Sequence, residues 1–137
     1  MTAHWKTLVL AIIFCASTSC RFQTEFDSEK WQQELDGTYP YRFQMVDDIL
    51  TKGFLNGKGE SEVGIILGEP NFVDSVNEDV KELGYQIQVA YGWDIDAKYN
   101  SNLILTFNVK TKKVIKFEYK ASEDRRTWLE KLTSNKY

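Results

Sequence analysis

The chain has 137 residues, of which 17 are Lys or Arg and 20 are Asp or Glu, and its formal net charge is −3. This length suits one domain, and an apolar share of 42% is enough for a packed core. The basic residues are scattered and form no stripe, so the composition speaks against nucleic-acid binding. The single histidine, His4, lies in the N-terminal segment, which speaks against imidazole-based catalysis and the common zinc sites.

The first 19 residues have the layout of a bacterial export signal. Lys6 supplies a positive charge, residues 8–14 form a short apolar run, and small residues at 16–19 lead into Cys20. The apolar run is too short to span a bilayer. We therefore predict that residues 1–19 are a signal peptide that is removed from the mature chain.

The residues leading into Cys20 resemble the lipobox of bacterial lipoproteins. Ser19 precedes this cysteine, whereas Cys15 follows the bulky Phe14, which suits a signal peptidase poorly. The resemblance implies that Cys20 becomes the lipid-bearing N-terminal residue, with palmitate among its acyl chains, and anchors the protein to a membrane. Arg21 stands where Asp would retain a lipoprotein in the inner membrane, which favours the outer membrane, facing the periplasm. An ordinary secretory signal and an uncleaved anchor are the alternatives.

The segment after the cysteine predicts two helices. Residues 20–40 are predicted to be a lipidated N-terminus and tether with one short helix, which Asp27 or Ser28 would begin. A first main helix is predicted from Pro40 to Lys52, because apolar residues recur at helical spacing on one side. Those apolar residues are Met45, Val46, Ile49 and Leu50.

The stretch from Gly57 to Pro70 predicts a second main helix with a start, a buried face and a stop. Gly59 is a permitted N-cap, and Gly68 with the following proline ends the helix. The buried face is predicted at Val63, Ile66 and Leu67. Gly64 inside the helix costs about 1 kcal/mol relative to Ala, which predicts that a neighbour packs too closely there for a side chain.

The hydrophobic pattern changes from helical to alternating after the second main helix. We predict a brief extended piece over residues 72–76, then a polar turn, then three strands with one buried face each. Their inward-facing residues are predicted to be Tyr85, Ile87, Val89, Tyr91 and Trp93, then Leu103, Leu105, Phe107 and Val109, then Ile115, Phe117 and Tyr119. Ser122 is predicted to cap a last helix.

These elements predict an α+β domain in which two helices pack on one face of a three-stranded antiparallel sheet. The order is helix-helix-strand-strand-strand, with an extra C-terminal helix. The domain is predicted to span residues 41–120, followed by a C-terminal helix and tail over residues 121–137.

The residues around the second main helix resemble those of a known family. They are Leu55-x-Gly57, then Glu62-Val63, then Ile66-Leu67-Gly68-x-Pro70. This pattern resembles the helix-to-strand motif of the BamE-like (SmpA/OmlA) lipoprotein domain, whose element order and preceding lipid-modified cysteine also match. The resemblance covers about Arg42 to Tyr119. It implies a membrane-anchored periplasmic domain, an accessory of outer-membrane protein assembly, and it does not identify the partner.

Two acidic clusters are the candidates for chemistry, and both are interpreted as solvated. Asp47 and Asp48 are adjacent on a predicted helix and point about 100° apart, so they do not converge on one proton or ion. Asp94 and Asp96 resemble the start of a calcium loop, but Lys98 stands where a ligand is needed. We therefore expect no catalytic residue, no metal site and no cofactor.

The sequence favours a non-enzymatic interaction domain in the bacterial cell envelope, held at the membrane through the lipid on Cys20. Its expected partner is an envelope protein. The alternative is a periplasmic binding or inhibitor protein that sequesters an enzyme or a ligand with the outer face of the sheet. That face is predicted to present Gln86, Gln88, Ile104 and Thr106. An enzyme with carboxylate chemistry is the least favoured class.

Overall fold

The computed structural model describes residues 24–91 and 97–123. Within these ranges three helices precede four strands. The helices are α1 (Ser28–Gln32), α2 (Arg42–Lys52) and α3 (Glu60–Leu67), and the strands are β1 (Phe72–Asn77), β2 (Val80–Tyr91), β3 (Ala97–Asn108) and β4 (Lys113–Glu123). Consecutive strands pair antiparallel, so the sheet is a meander of order β1-β2-β3-β4.

The predicted three-stranded sheet is wrong, because the extended piece over residues 72–76 belongs to a fourth strand. β1 pairs with β2 from Phe72 opposite Gly84 to Asn77 opposite Val80. All six residues of β1 are exposed. The strand therefore lacks the one-sided burial that produces an alternating sequence pattern.

The predicted C-terminal helix is wrong at its start. Ser122 is not a helix cap but lies in β4, paired with β3. β3 likewise begins at Ala97, six residues before Leu103, the first inward-facing residue predicted for this strand. Strand pairing satisfies the backbone groups here, although the side chains give no alternating apolar pattern. The remainder of the predicted helix, residues 124–137, lies outside the described residues, as do the predicted signal peptide over residues 1–19 and Cys20.

Local contacts set the helix ends. The Asp27 carboxylate accepts a hydrogen bond from the Lys30 N–H at 3.0 Å, which caps α1. α2 ends at Gly53, whose φ of 63° lies in the left-handed region. At α3, the Gly59 N–H donates to the Glu62 carboxylate at 2.8 Å. Because these signals are local, the positions of the helices could be predicted from the sequence.

The helices lie on one face of the sheet and bury an apolar cluster against it. The helical stripes contribute Trp31, Met45, Val46, Ile49, Val63 and Leu67, the sheet contributes Leu83, Tyr85, Ile87, Leu103, Leu105, Phe107 and Val114, and Leu55 joins from the loop before α3. All of these side chains are at most 3% exposed.

A β-bulge in β2 changes which of its side chains face the core. The pairing with β3 skips Ile87, and one extra residue moves every following side chain to the opposite face. Tyr91, predicted to face the core, is therefore 66% exposed, and Val89 is only half-buried. Trp93 lies outside the described residues.

A second bulge changes the start of β4 in the same way. The pairing with β3 skips Ile115, which was predicted to face the core but is exposed. Val114 is buried in its place. Val109, also predicted to be buried, is exposed in the turn between β3 and β4.

Candidate docking groove

A groove with a volume of about 780 Å³ runs between α3 and the edge strand β1. Leu83 and Tyr85 of β2 form its floor, Gly64 lies on the α3 side, and Val73 lies on the β1 side. Val73 stands opposite Leu83 in the register and is 60% exposed, because no described element covers this side of β1. The groove is therefore an uncovered margin of the core.

The two ends of the groove differ in charge. Glu69 lies just after α3 and forms no ion pair within the described part of the chain. At the start of α3, Lys112 and Lys113 line the groove, and Lys113 forms a backbone bridge with Gly59. Glu60 and Glu62 also line this end, where they pair with Lys81 at 2.7 Å and with Lys58 at 3.8 Å. A ligand lying along the groove would therefore meet a single carboxylate at one end and both ammonium and carboxylate groups at the other.

Gly64 leaves its side of the groove open. A Cβ added at this position would meet no atom within 4 Å. The prediction that a close neighbour requires this glycine is wrong, because the space beside it is the groove. Gly64 costs α3 about 1 kcal/mol relative to Ala, and the described packing gives no reason for a glycine at this position.

Tyr85 fixes the end of α3. Its hydroxyl donates to the Gly68 carbonyl at 3.1 Å. Burial raises the pKa of Tyr85 to about 12, so the phenol stays neutral and keeps its proton at physiological pH. Gly68 has a φ of 76°, and a Cβ there would approach the Gln32 side chain of α1 at 3.1 Å. The hydrogen bond from Tyr85 therefore holds the last turn of α3 against the floor of the groove.

Phe72 fixes the first residue of β1 on the outer face of the sheet. Its ring occupies the space that a Cβ on Gly84 would take. An aromatic ring over a strand glycine is a known device for stabilising a sheet edge. Gly84 in turn stands opposite Ile104, which is only 5% exposed.

Arg42 ties the start of β1 to the helices. It is 1% exposed, and its Nη1 donates to the Asn71 side chain and to the Gln86 carbonyl, both at 2.9 Å. Its Nε donates to the Trp31 carbonyl at 3.0 Å, and its guanidinium lies 3.4 Å from the Tyr39 ring centroid. Burial lowers the pKa of Arg42 to about 10, so the side chain remains cationic at neutral pH.

The Asn71 side chain extends this connection to the sheet. Its carbonyl accepts from the Gln86 N–H at 2.8 Å, and its own backbone N–H donates to the Gly84 carbonyl at 2.8 Å. Sequence reasoning missed both Arg42 and Asn71. A charged residue at a helix start and an asparagine before a strand are ordinary surface patterns, so neither carried a usable signal.

Of the two acidic clusters considered for chemistry, the structure describes only the one on α2. The Asp48 carboxylate accepts from the Phe26 N–H at 2.9 Å and pairs with Lys52 at 3.0 Å, and these contacts hold its pKa below the usual range. Asp94 and Asp96 lie outside the described residues. In the described ranges, no group of three or more His, Cys, Asp or Glu side chains is placed to hold a metal ion.

The outer-face residues predicted for a binding surface do not form one surface. Ile104 is buried, and the bulge at Ile87 brings Gln88 into register with the buried Ser101. Gln86, just before the bulge, stays opposite Asn102. The groove, and not the outer face, is therefore the main candidate site.

Within residues 24–91 and 97–123, no helix is both long and apolar enough to cross a membrane. Comparison with protein-family models, with curated proteins and with solved structures finds no match for this chain.

Proposed function

We propose that this protein is a lipoprotein of the bacterial cell envelope and that its α+β domain is a non-enzymatic interaction module. The residues leading into Cys20 support a lipid anchor, most simply at the periplasmic side of an outer membrane. The observation that carries the interaction role is the β1 edge beside the groove, where backbone and apolar groups stay exposed. Its partner would be another envelope protein.

The resemblance of the α3 region to the BamE-like domain supports a narrower proposal, an accessory role in outer-membrane protein assembly. Leu55, Val63 and Leu67 of the motif are fully buried, and Gly68 ends α3. The apolar motif positions build the scaffold, whereas Glu62, Gly68 and Pro70 of the motif line the groove. The proposed role therefore depends on the anchor and the groove, and it extends no further than an envelope protein as partner.

The anchor is tested by the intact mass of the protein extracted from membranes. We expect the loss of residues 1–19 and the addition of acyl chains on Cys20. The Cys20→Ala variant should be released or unprocessed, whereas Cys15→Ala, the matched control, should keep the processed mass. An unmodified thiol at Cys20 in a protein that fractionates away from membranes would contradict the anchor.

The interaction role is tested by crosslinking intact envelopes and purifying the anchored protein. We expect an envelope protein to be captured at a defined ratio. Purification with no crosslinked envelope protein, under conditions where a known envelope complex is captured, would argue against an interaction module.

The groove also supports the alternative, a periplasmic binding or inhibitor protein. Its volume of about 780 Å³ falls within the range of roughly 300–1,000 Å³ that is typical of small-molecule sites. A thermal-shift screen with small ligands separates the two functions. A ligand that raises the melting temperature and protects the groove would favour the binding protein, because a ligand that binds only the folded state stabilises it.

A further inference from the structure

We propose that the groove binds an extended peptide segment of the partner, which adds a fifth strand to the sheet at β1. Side chains on one side of this segment would enter the groove and lie over Leu83 and Tyr85. This inference rests on the proposed function and assigns the surface and the chemistry of the partner. It describes strand addition at a sheet edge, a common mode of peptide recognition.

The backbone of β1 provides the first argument. β1 lies at the end of the strand order, so the backbone groups on its outer side have no strand partner in the described ranges. Six residues at about 3.4 Å each give an edge about 20 Å long, which suits a peptide of similar length. An extended chain is the partner that satisfies such a row of donors and acceptors.

The shape of the groove provides the second argument. Alternate side chains of an added strand point to one face, and on this face they would meet the groove. The open space beside Gly64 and the apolar surface of Leu83 favour large apolar side chains at those alternate positions. The uncovered Val73 would be buried by the same contact.

The charges at the ends give the segment a polarity. Glu69 has no ion pair in the described part of the chain, so a basic residue of the peptide would fit at that end. At the other end, Glu60 and Glu62 already pair with Lys81 and Lys58. Lys112 and Lys113 therefore favour an acidic residue or a C-terminal carboxylate of the peptide there. The proposed ligand is therefore an extended segment with alternating apolar residues, basic at one end and acidic at the other.

A second copy of this chain fits less well. If two β1 strands paired, the side chains facing the groove would come from the partner copy's β1, where only Val73 and Ser75 stand opposite the core-facing positions of β2. Val and Ser are too small to fill a groove of about 780 Å³. A peptide with larger side chains uses both the edge and the groove.

The test is selection from a displayed library of peptides about ten residues long, with the full chain purified from membranes in detergent as the target. We expect enriched peptides to show alternating apolar residues. Hydrogen exchange should show that a synthetic copy of such a peptide protects the backbone amides of β1.

A matched pair of variants locates the binding surface. Gly64→Trp places an indole in the groove, whereas Ile65→Trp places one on the neighbouring position, which is 76% exposed and does not line the groove. We expect Gly64→Trp to weaken the selected peptide by about tenfold or more and Ile65→Trp to leave its affinity nearly unchanged. Equal binding to both variants would overturn the proposal, as would a selection that enriches no peptide.

Charge reversal provides a second route, which holds even if Gly64→Trp fails to fold. Glu69→Lys, at an exposed position, should weaken a peptide that is basic at that end and strengthen the same peptide with its Lys replaced by Glu. No change for either peptide would overturn the assigned polarity. Sedimentation equilibrium tests for self-association. A concentration-dependent dimer that the Val73→Lys substitution abolishes would overturn the proposal of a peptide ligand and assign the groove to a second copy of the chain.

The outcomes also separate this inference from the proposed function. If crosslinking captures the same envelope protein with the wild type and with Gly64→Trp, the interaction module stands and the groove assignment fails. If selected peptides bind the groove but envelopes yield no crosslinked partner, the groove stands and the proposed function fails.

Discussion

The two edges of the sheet are completed in opposite ways. At β4, the Val114 N–H donates to the Lys58 carbonyl at 2.9 Å, and the Val114 carbonyl accepts from the Gly57 N–H at 3.0 Å. A backbone bridge between Gly59 and Lys113 extends this cover. β1 has no comparable backbone cover in the described ranges. Exposed edges invite pairing with other chains. The start of β4 is covered against such pairing, whereas β1 is open along its length in the described ranges.

Side-chain charge follows the same division. On β4, Glu118 pairs with Lys116 at 2.7 Å and with Lys120 at 2.9 Å, and these lysines hold the pKa of Glu118 below its usual range. Such exposed pairs add little stability, but charged side chains discourage another strand from docking. β1 has one charged residue, Asp74, and three exposed apolar ones. In the described ranges, the start of β4 is thus protected by backbone cover and the rest of the strand by charge, whereas β1 has only Asp74 and a bulge at Val76.

The largest effect is expected from Arg42→Met. The substitution keeps an apolar stem but leaves the Trp31 and Gln86 carbonyls and the Asn71 side chain without their donor. We expect the free energy of unfolding to fall by about 3 kcal/mol, measured by urea denaturation. Hydrogen exchange should show a greater loss of protection in β1 than in β4, because Asn71 directly precedes β1.

The matched control for this prediction is Lys120→Met, which removes an exposed cation from β4. We expect a change of less than about 0.5 kcal/mol. A similar loss of stability for both variants, or equal loss of protection at the two edges, would contradict the role assigned to Arg42.

The second prediction weakens the cover of the β4 edge. Gly57 has a φ of 71°, and a Cβ there would meet no atom within 4 Å, so Gly57→Ala introduces backbone strain without a clash. We expect a loss of about 1–2 kcal/mol in the free energy of unfolding. The amide of Val114 should exchange faster, since its acceptor is in the same loop. An unchanged Val114 exchange rate would show that this loop does not protect the edge.

The contrast between the edges also explains what sequence reasoning could predict. Elements with one buried face were predictable, because burial imposes a period: α2 shows this at Met45 and Ile49, and β3 shows it at Leu103 and Leu105. β1 has both faces exposed, so no period marks it. The sequence therefore indicated an extended piece over residues 72–76 but gave no sign that it pairs as a strand of the sheet.

The bulges and the groove were beyond sequence reasoning for different reasons. The extra residue at Ile87 or Ile115 is placed by packing across strands, which no local pattern encodes. Arg42 had the appearance of a surface residue, and only the fold brings carbonyls and aromatic rings around it. Gly64 did carry a signal, a helical glycine without a local reason, but the sequence could not distinguish a packed neighbour from an open groove.

The third prediction concerns the contact that fixes the groove wall. Tyr85→Phe removes the hydrogen bond to the Gly68 carbonyl and should lower the free energy of unfolding by about 1 kcal/mol at neutral pH. Burial raises the pKa of Tyr85 from its ordinary value of 10.0 to about 12. The unfolded chain therefore loses this proton at a lower pH than the folded chain does, and stability from this group falls as pH rises from about 10 to about 12.

The Tyr85→Phe variant has no phenol at this position, so its free energy of unfolding should not show the part of the decline that comes from Tyr85. Urea denaturation of the wild type and Tyr85→Phe, at pH values from neutral to about 11, measures the difference. If the difference in the free energy of unfolding between the two proteins stayed constant with pH, this would contradict the burial of the phenol against α3.

The smallest effect, opposite in sign, is expected from Gly64→Ala. Because nothing in the described structure contacts this position, Ala should raise the free energy of unfolding by about 0.5–1 kcal/mol through helix propensity alone. A methyl group removes little of the groove, so affinity for a selected peptide should fall only slightly. Melting temperature and peptide titration on the same sample measure both quantities. A stabilised protein with weaker peptide binding would show that Gly64 keeps the groove open at a cost in the stability of α3. A destabilised protein would show that another part of the chain packs against this position.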